Sequence, residues 1–194
     1  MSREKLRILF GNRNPRFDKR YENSIIKKFC DYGAGTTAYQ ESRGKIFGAG
    51  YEIYIVAFFL GLYLNKRREL PSDTSKLKKF GPPFSQWGNQ DSRKLRKTYN
   101  KIQDYIFIAL VARSDVDLIA LDKGETTPRK ILDILTRTME EYANYGFYYI
   151  EDQLQDNPEK FYRDSSFLEI FLNIDELNDS SNDSDENEDV ESLD

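Results

Sequence analysis

The sequence predicts a mainly α-helical protein: a compact helical domain with one buried central helix, a short strand near the N-terminus and a disordered acidic C-terminal tail. Three observations lead there. The run from Ile53 to Leu64 is apolar on every side, as only a buried helix or a buried strand can be. Apolar residues recur at three- and four-residue intervals in several other segments. From Asp175 onward the chain is Asp, Glu, Ser and Asn with almost nothing apolar, a composition that cannot form a core. The 194 residues, 39% hydrophobic and 14% aromatic, suffice for the core of one domain. The expected divisions are a basic arm over residues 1–16, a helical globular domain over 17–174 and the tail over 175–194.

Taken in order, Leu6, Ile8, Leu9 and Phe10 are expected to make a short strand, broken by Gly11-Asn12-Arg13-Asn14-Pro15. Tyr21, Ile25 and Phe29 then lie on one helical face from about Phe17 to Asp31. Residues 33–50 contain five glycines and read as an extended loop. Between Ile53 and Leu64 a strand stays open, since β-branched and aromatic residues crowd its start. Leu and Ala in the second half favour a helix, with Lys66-Arg67-Arg68 at the end that the dipole favours for cations. Pro71, Pro82 and Pro83 mark a loop of roughly twenty residues, long for a connection without structure.

Asp91 or Ser92 is placed to cap a helix running to about Arg113, with Leu95, Tyr99, Ile102, Ile106 and Leu110 on one face. Thr127-Pro128 starts another, whose face continues through Ile131, Leu135, Met139 and Tyr142 to Gly146. Asn157-Pro158 opens a further turn, and Phe167 to Leu172 is the last segment expected to pack.

The net charge of −4 is a cancellation. Residues 175–194 hold ten acids and no base, which leaves +6 for residues 1–174. Lysine and arginine excess of this kind suits a polyanion, because each neutralised phosphate releases counterions. The candidate nucleic-acid-binding residues are Lys66, Arg67, Arg68, Lys76, Lys78, Lys79, Arg93, Lys94, Arg96, Lys97 and Lys101. Those from Arg93 to Lys101 sit in the first turns of an expected helix, where the dipole disfavours cations. The arm, with Arg3, Lys5, Arg7, Arg13, Arg16, Lys19 and Arg20, is positioned to add to them. The bland alternative is a solvated face balanced by the tail.

Histidine is absent, which removes Ser-His-Asp and Cys-His catalysis and every histidine-containing metal site. The single cysteine, Cys30, makes no intrachain disulfide, suits a reducing cytosol and reads as a small buried residue. No apolar run reaches the roughly 20 residues of a membrane-spanning helix, so a cytoplasmic protein without membrane contact is expected. Asp115, Asp117, Asp122 and Glu125 invite a metal-dependent nuclease, but Asp122 and Lys123 are adjacent, whereas the usual nuclease pattern sets one residue between carboxylate and lysine. Caps and turns explain these acids more simply. Gly33-x-Gly35 and Gly48-x-Gly50 lack the rest of a phosphate-binding loop. Trp87 beside Phe84 either stacks on a base or anchors its loop to the core. No catalytic residue, metal ligand or cofactor is expected.

The order Ala57 to Leu62 (Ala-Phe-Phe-Leu-Gly-Leu), Arg67-Arg68-Glu69-Leu70-Pro71, a Trp-containing loop, Ile108-Ala109-Leu110, Asp115-Val116-Asp117-Leu118 and Glu140-Glu141-Tyr142-Ala143-Asn144-Tyr145-Gly146 resembles small accessory proteins encoded beside bacterial DNA phosphorothioation genes, the dnd-type sulfur-modification and antiphage defence clusters. The likeness covers roughly residues 50–146. The loop from Pro71 to Gln90 is longer than in that pattern, and the arm and tail lie outside it. What the resemblance implies is a helical, non-catalytic component of a DNA-modification or restriction system that meets DNA or a DNA-bound defence protein. The alternatives are an adaptor that docks a larger nuclease or ATPase, and a metal-dependent nuclease.

Overall fold

A computed structural model describes residues 3–30, 46–88, 98–163 and 165–174. The described chain is mainly helical, as expected. Its elements are α1 (Arg3–Gly11), β1 (Arg16–Asp18), a π-helical turn (Glu22–Ile26) running into α2 (Lys27–Phe29), α3 (Gly50–Tyr63), β2 (Leu77–Lys79), α4 (Ile102–Arg113), α5 (Leu118–Lys123) and α6 (Pro128–Asp156). Residues 1–151 and 152–194 are two compact units. The acidic tail and the cations from Arg93 to Lys97 lie outside the described residues.

The open choice at Ile53–Leu64 resolves as helix. α3 is largely buried, with Ile53, Tyr54, Ala57, Phe58 and Leu60 fully enclosed and one stripe, Glu52, Val56, Phe59 and Tyr63, partly exposed. It ends in a Schellman turn: Asn65 takes a left-handed φ of 49°, its N–H donates to the Leu62 carbonyl at 3.1 Å, and the Lys66 N–H donates to the Gly61 carbonyl at 2.9 Å.

α3 and α6 meet backbone to backbone. A Cβ on Gly146 would lie 1.8 Å from the Ala57 carbonyl oxygen, and one on Gly61 would lie 2.1 Å from that of Tyr142. Ala57 and Ala143 are fully buried at the same crossing. This is why α6 does not stop at Gly146: the glycine removes a side chain from a helix contact and ends nothing.

The residues expected as a strand, Leu6 to Phe10, form α1 instead. Leu6 and Phe10 are buried while Ile8, between them, is 58% exposed. A strand would have put all three on one face; burial at i and i+4 is helical. Phe10 meets Phe84 and Phe107 with ring centroids at 5.2 and 5.8 Å. The strand lies after the break, where β1 pairs antiparallel with β2 and sets Arg16 opposite Lys79.

The loop after Pro71 is held from inside. Trp87 is fully buried, stacks on Tyr51 at 5.5 Å and meets Tyr54, Phe80 and Phe84 edge-on, and its indole N–H donates to the Pro82 carbonyl at 3.2 Å. Of its two readings, the anchor is the one the fold uses. Trp87→Ala should cost about 4 kcal/mol in denaturant unfolding, the range for truncating a buried Trp.

In the unit of residues 152–194, a 3-10 turn (Pro158–Tyr162) precedes a helix over residues 166–174. Phe161 and Phe167 meet at 5.5 Å, and the buried Ser166 hydroxyl donates to the carbonyls of Lys160 and Arg163.

Candidate nucleic-acid interface

One face of α6 organises the charge of residues 1–151. Arg13 pairs with Asp133 at 2.9 Å, Arg16 with Glu140 at 2.9 Å and Arg20 with Glu151 at 2.8 Å. These acids follow one another along α6 at about two and then three turns. Arg7, from α1, pairs with Asp104 of α4. Arg7, Arg13 and Arg16 of the arm and Arg20 after it are thus engaged within the fold.

The Lys66-Arg67-Arg68 run crosses α6 as a strap. Lys66 lies 5.8 Å from the Tyr145 ring centroid, Arg67 4.7 Å from Tyr142 and Arg68 4.5 Å from Tyr148. The Arg68 N–H donates to the Glu141 carbonyl, and the buried Asn144 amide donates to the carbonyls of Arg68 and Glu69 at 3.2 and 2.8 Å. Lys78 pairs with Glu22 at 2.6 Å, holding that carboxyl below its ordinary range. Lys76 is exposed on the turn before β2, and Lys101 is exposed at the start of α4. None of these cations lines the cleft to which Lys79 belongs.

Lys79 belongs to a different site. The Asn12–Arg16 loop, β2 and the first turns of α6 enclose an open cleft of about 960 Å³. Six cations line it: Arg13, Arg16, Lys79, Arg129, Lys130 and Arg137. Two acids, Asp133 and Glu140, face them. A smaller cavity of about 350 Å³ shares Arg16, Arg137 and Glu140.

The cations differ in how they are held. Arg16 donates to Glu140 from its backbone N–H at 2.8 Å, from Nε at 3.0 Å and from Nη2 at 2.9 Å, and this hydrogen bonding raises the guanidinium pKa further. Arg137 sits 3.7 Å from Glu141, whose carboxyl burial pushes upward. Lys79, Arg129 and Lys130 are exposed and have no ion-pair partner among the described residues. Pro128 opens α6, and the Thr127 hydroxyl accepts the Lys130 N–H at 3.3 Å. Arg129 and Lys130 therefore stand at the positive end of the helix dipole, where a bound anion would be stabilised twice, by their charge and by the helix.

Composition flagged a basic body but not this convergence. Cations in a first helical turn single out Arg93 through Lys101 in the sequence, and the same criterion at Pro128 singles out Arg129 and Lys130. In the sequence Arg13 and Arg16 belong to a basic arm, and Arg137 carries no signal.

Elsewhere, Asp117 caps α5 by accepting the Ala120 N–H at 2.8 Å. Among the described residues no three His, Cys, Asp or Glu side chains gather as a metal site requires, and no helix is long and apolar enough to cross a membrane. No family model, curated protein or solved structure matches the chain.

Proposed function

We propose that the chain is a non-catalytic binding protein that holds the nucleic-acid backbone in the cleft beside the start of α6. The convergence of Lys79, Arg129 and Lys130, three cations without an ion-pair partner among the described residues, carries this reading. Arg13 and Arg137 reinforce the field, and the helix dipole points the same way. Contacts of this kind position a phosphate backbone and carry little sequence information. In the setting implied by the resemblance to phosphorothioation-associated accessory proteins, the ligand is DNA and the role is that of an accessory component in DNA modification or antiphage defence.

The test is fluorescence anisotropy with a labelled duplex of about 20 base pairs, on the order of two helical turns. A Lys79→Gln, Arg129→Gln, Lys130→Gln variant should bind about two orders of magnitude more weakly, since three phosphate contacts are lost. Wild-type affinity in that variant would remove the cleft from consideration.

A second reading rests on Tyr105 and Ile108, 61% and 63% exposed and one turn apart on α4, which suit an adaptor face for a protein partner. A Tyr105→Ser, Ile108→Ser variant should then lose a partner that co-purifies with the wild type.

A further inference from the structure

The cleft holds two arginine–carboxylate pairs of opposite character. Glu140 is 3% exposed and accepts three hydrogen bonds from Arg16, so that pair is part of the framework. Asp133 is 56% exposed and accepts one hydrogen bond, from Nη2 of Arg13. The backbone of Arg13 is fixed on both sides: its N–H donates to the Phe10 carbonyl at 2.9 Å, and its carbonyl accepts from the Phe84 N–H at 2.9 Å. Its side chain alone is left to reorient.

Asp133 also stands where an acid opposes anion binding. It lies one turn beyond Arg129 and one turn before Arg137 on α6, and all three line the cleft with Lys79 and Lys130. A phosphate held by Lys79, Arg129 and Lys130 would face the Asp133 carboxylate. We propose that the Arg13–Asp133 pair is exchangeable: a backbone phosphate replaces the Asp133 carboxylate on Arg13, and Asp133 thereby sets the affinity of the cleft. An exposed single-bonded pair is weak enough to open, and a guanidinium accepts phosphate in the same fork geometry as carboxylate. The inference rests on the cleft reading above and adds to it an internal competitor that limits binding to ligands able to displace it.

The experiment compares the full-length wild type, Asp133→Asn, Arg13→Gln and their double variant with the labelled DNA duplex across a salt series. Asp133→Asn should bind about tenfold tighter at fixed salt, the effect of one hydrogen bond to a charged group. Its plot of log affinity against log salt should keep the wild-type slope, because Arg13 holds a phosphate in both complexes, whereas Arg13→Gln should flatten that slope by about 0.9, one phosphate contact. In the Arg13→Gln background, Asp133→Asn should tighten binding by much less than tenfold. Unchanged or weaker binding by Asp133→Asn, with the Lys79/Arg129/Lys130 variant still defective, overturns the exchange and leaves the cleft reading standing. Wild-type binding by the latter variant overturns both. Equal thermal midpoints for the wild type and Asp133→Asn, a surface substitution, exclude a folding effect as the source of any difference.

Discussion

Gly146→Ala is expected to destabilise the protein by about 3 kcal/mol, in the upper part of the range for overpacked cores. In an ordinary helix interior the same change stabilises by about 1 kcal/mol, because alanine loses less backbone entropy on folding. The sign reverses here because the new Cβ would stand 1.8 Å from the Ala57 carbonyl oxygen. That oxygen belongs to the backbone of a packed helix and cannot swing away as a side-chain tip would. α3 and α6 would have to move apart, opening the packing between Phe58 and Tyr142, whose rings meet at 6.1 Å. Gly61→Ala, 2.1 Å from the Tyr142 carbonyl oxygen, should act in the same direction. The two should combine to less than their sum, since one separation of the helices relieves both clashes. Denaturant midpoints settle the matter, and a Gly146→Ala protein more stable than wild type would mean the helices are not in backbone contact.

Glu140→Ala should cost about 2 to 3 kcal/mol, below the 3 to 5 kcal/mol of a fully buried pair. The discount follows from exposure: Glu140 is enclosed, but the Arg16 side chain is 40% exposed and water can hydrate part of it once the carboxylate is gone. Glu140→Gln keeps an acceptor and should lose less. The informative variant is Arg16→Met with Glu140→Met. Replacing both members of a pair by apolar side chains of similar size is often neutral, so the double variant should recover much of the loss of Glu140→Ala. A double variant as unstable as Glu140→Ala would show that the cost lies in the shape of the site and not in an abandoned charge. Binding offers a second readout, because β1 carries Arg16 and β2 carries Lys79 in register.

What the sequence disclosed followed from local chemistry. A twelve-residue run apolar on all sides marks a buried element but leaves helix and strand open, with Leu and Ala in its second half favouring the helix, and Thr127-Pro128 marks the start of α6. α1 escaped because five residues with four apolar side chains fit a strand and a helix about equally, and only the exposure of Ile8 decides. Gly146 looks like a stop in the sequence because a glycine near a helix end is commonly a cap, while its contact with Ala57 depends on residues far away in the chain. Distance along the chain also hid the site. Arg13–Asp133, Arg16–Glu140 and Arg20–Glu151 each join residues more than a hundred positions apart, and without those pairs every cation looks equally available. Once they are drawn, the basic excess has a location.

The salt dependence of binding tests that location most directly. Affinity for a DNA duplex should be measured between about 50 and 200 mM salt for the wild type and for the Lys79→Gln, Arg129→Gln, Lys130→Gln variant. Lys79, Arg129 and Lys130 account for three phosphate contacts, so the slope of log affinity on log salt should be steeper in the wild type than in the variant by about 2.7, and the wild type's advantage should shrink roughly fortyfold across that interval. Equal slopes in the two proteins would contradict the assignment of the cleft as the nucleic-acid site.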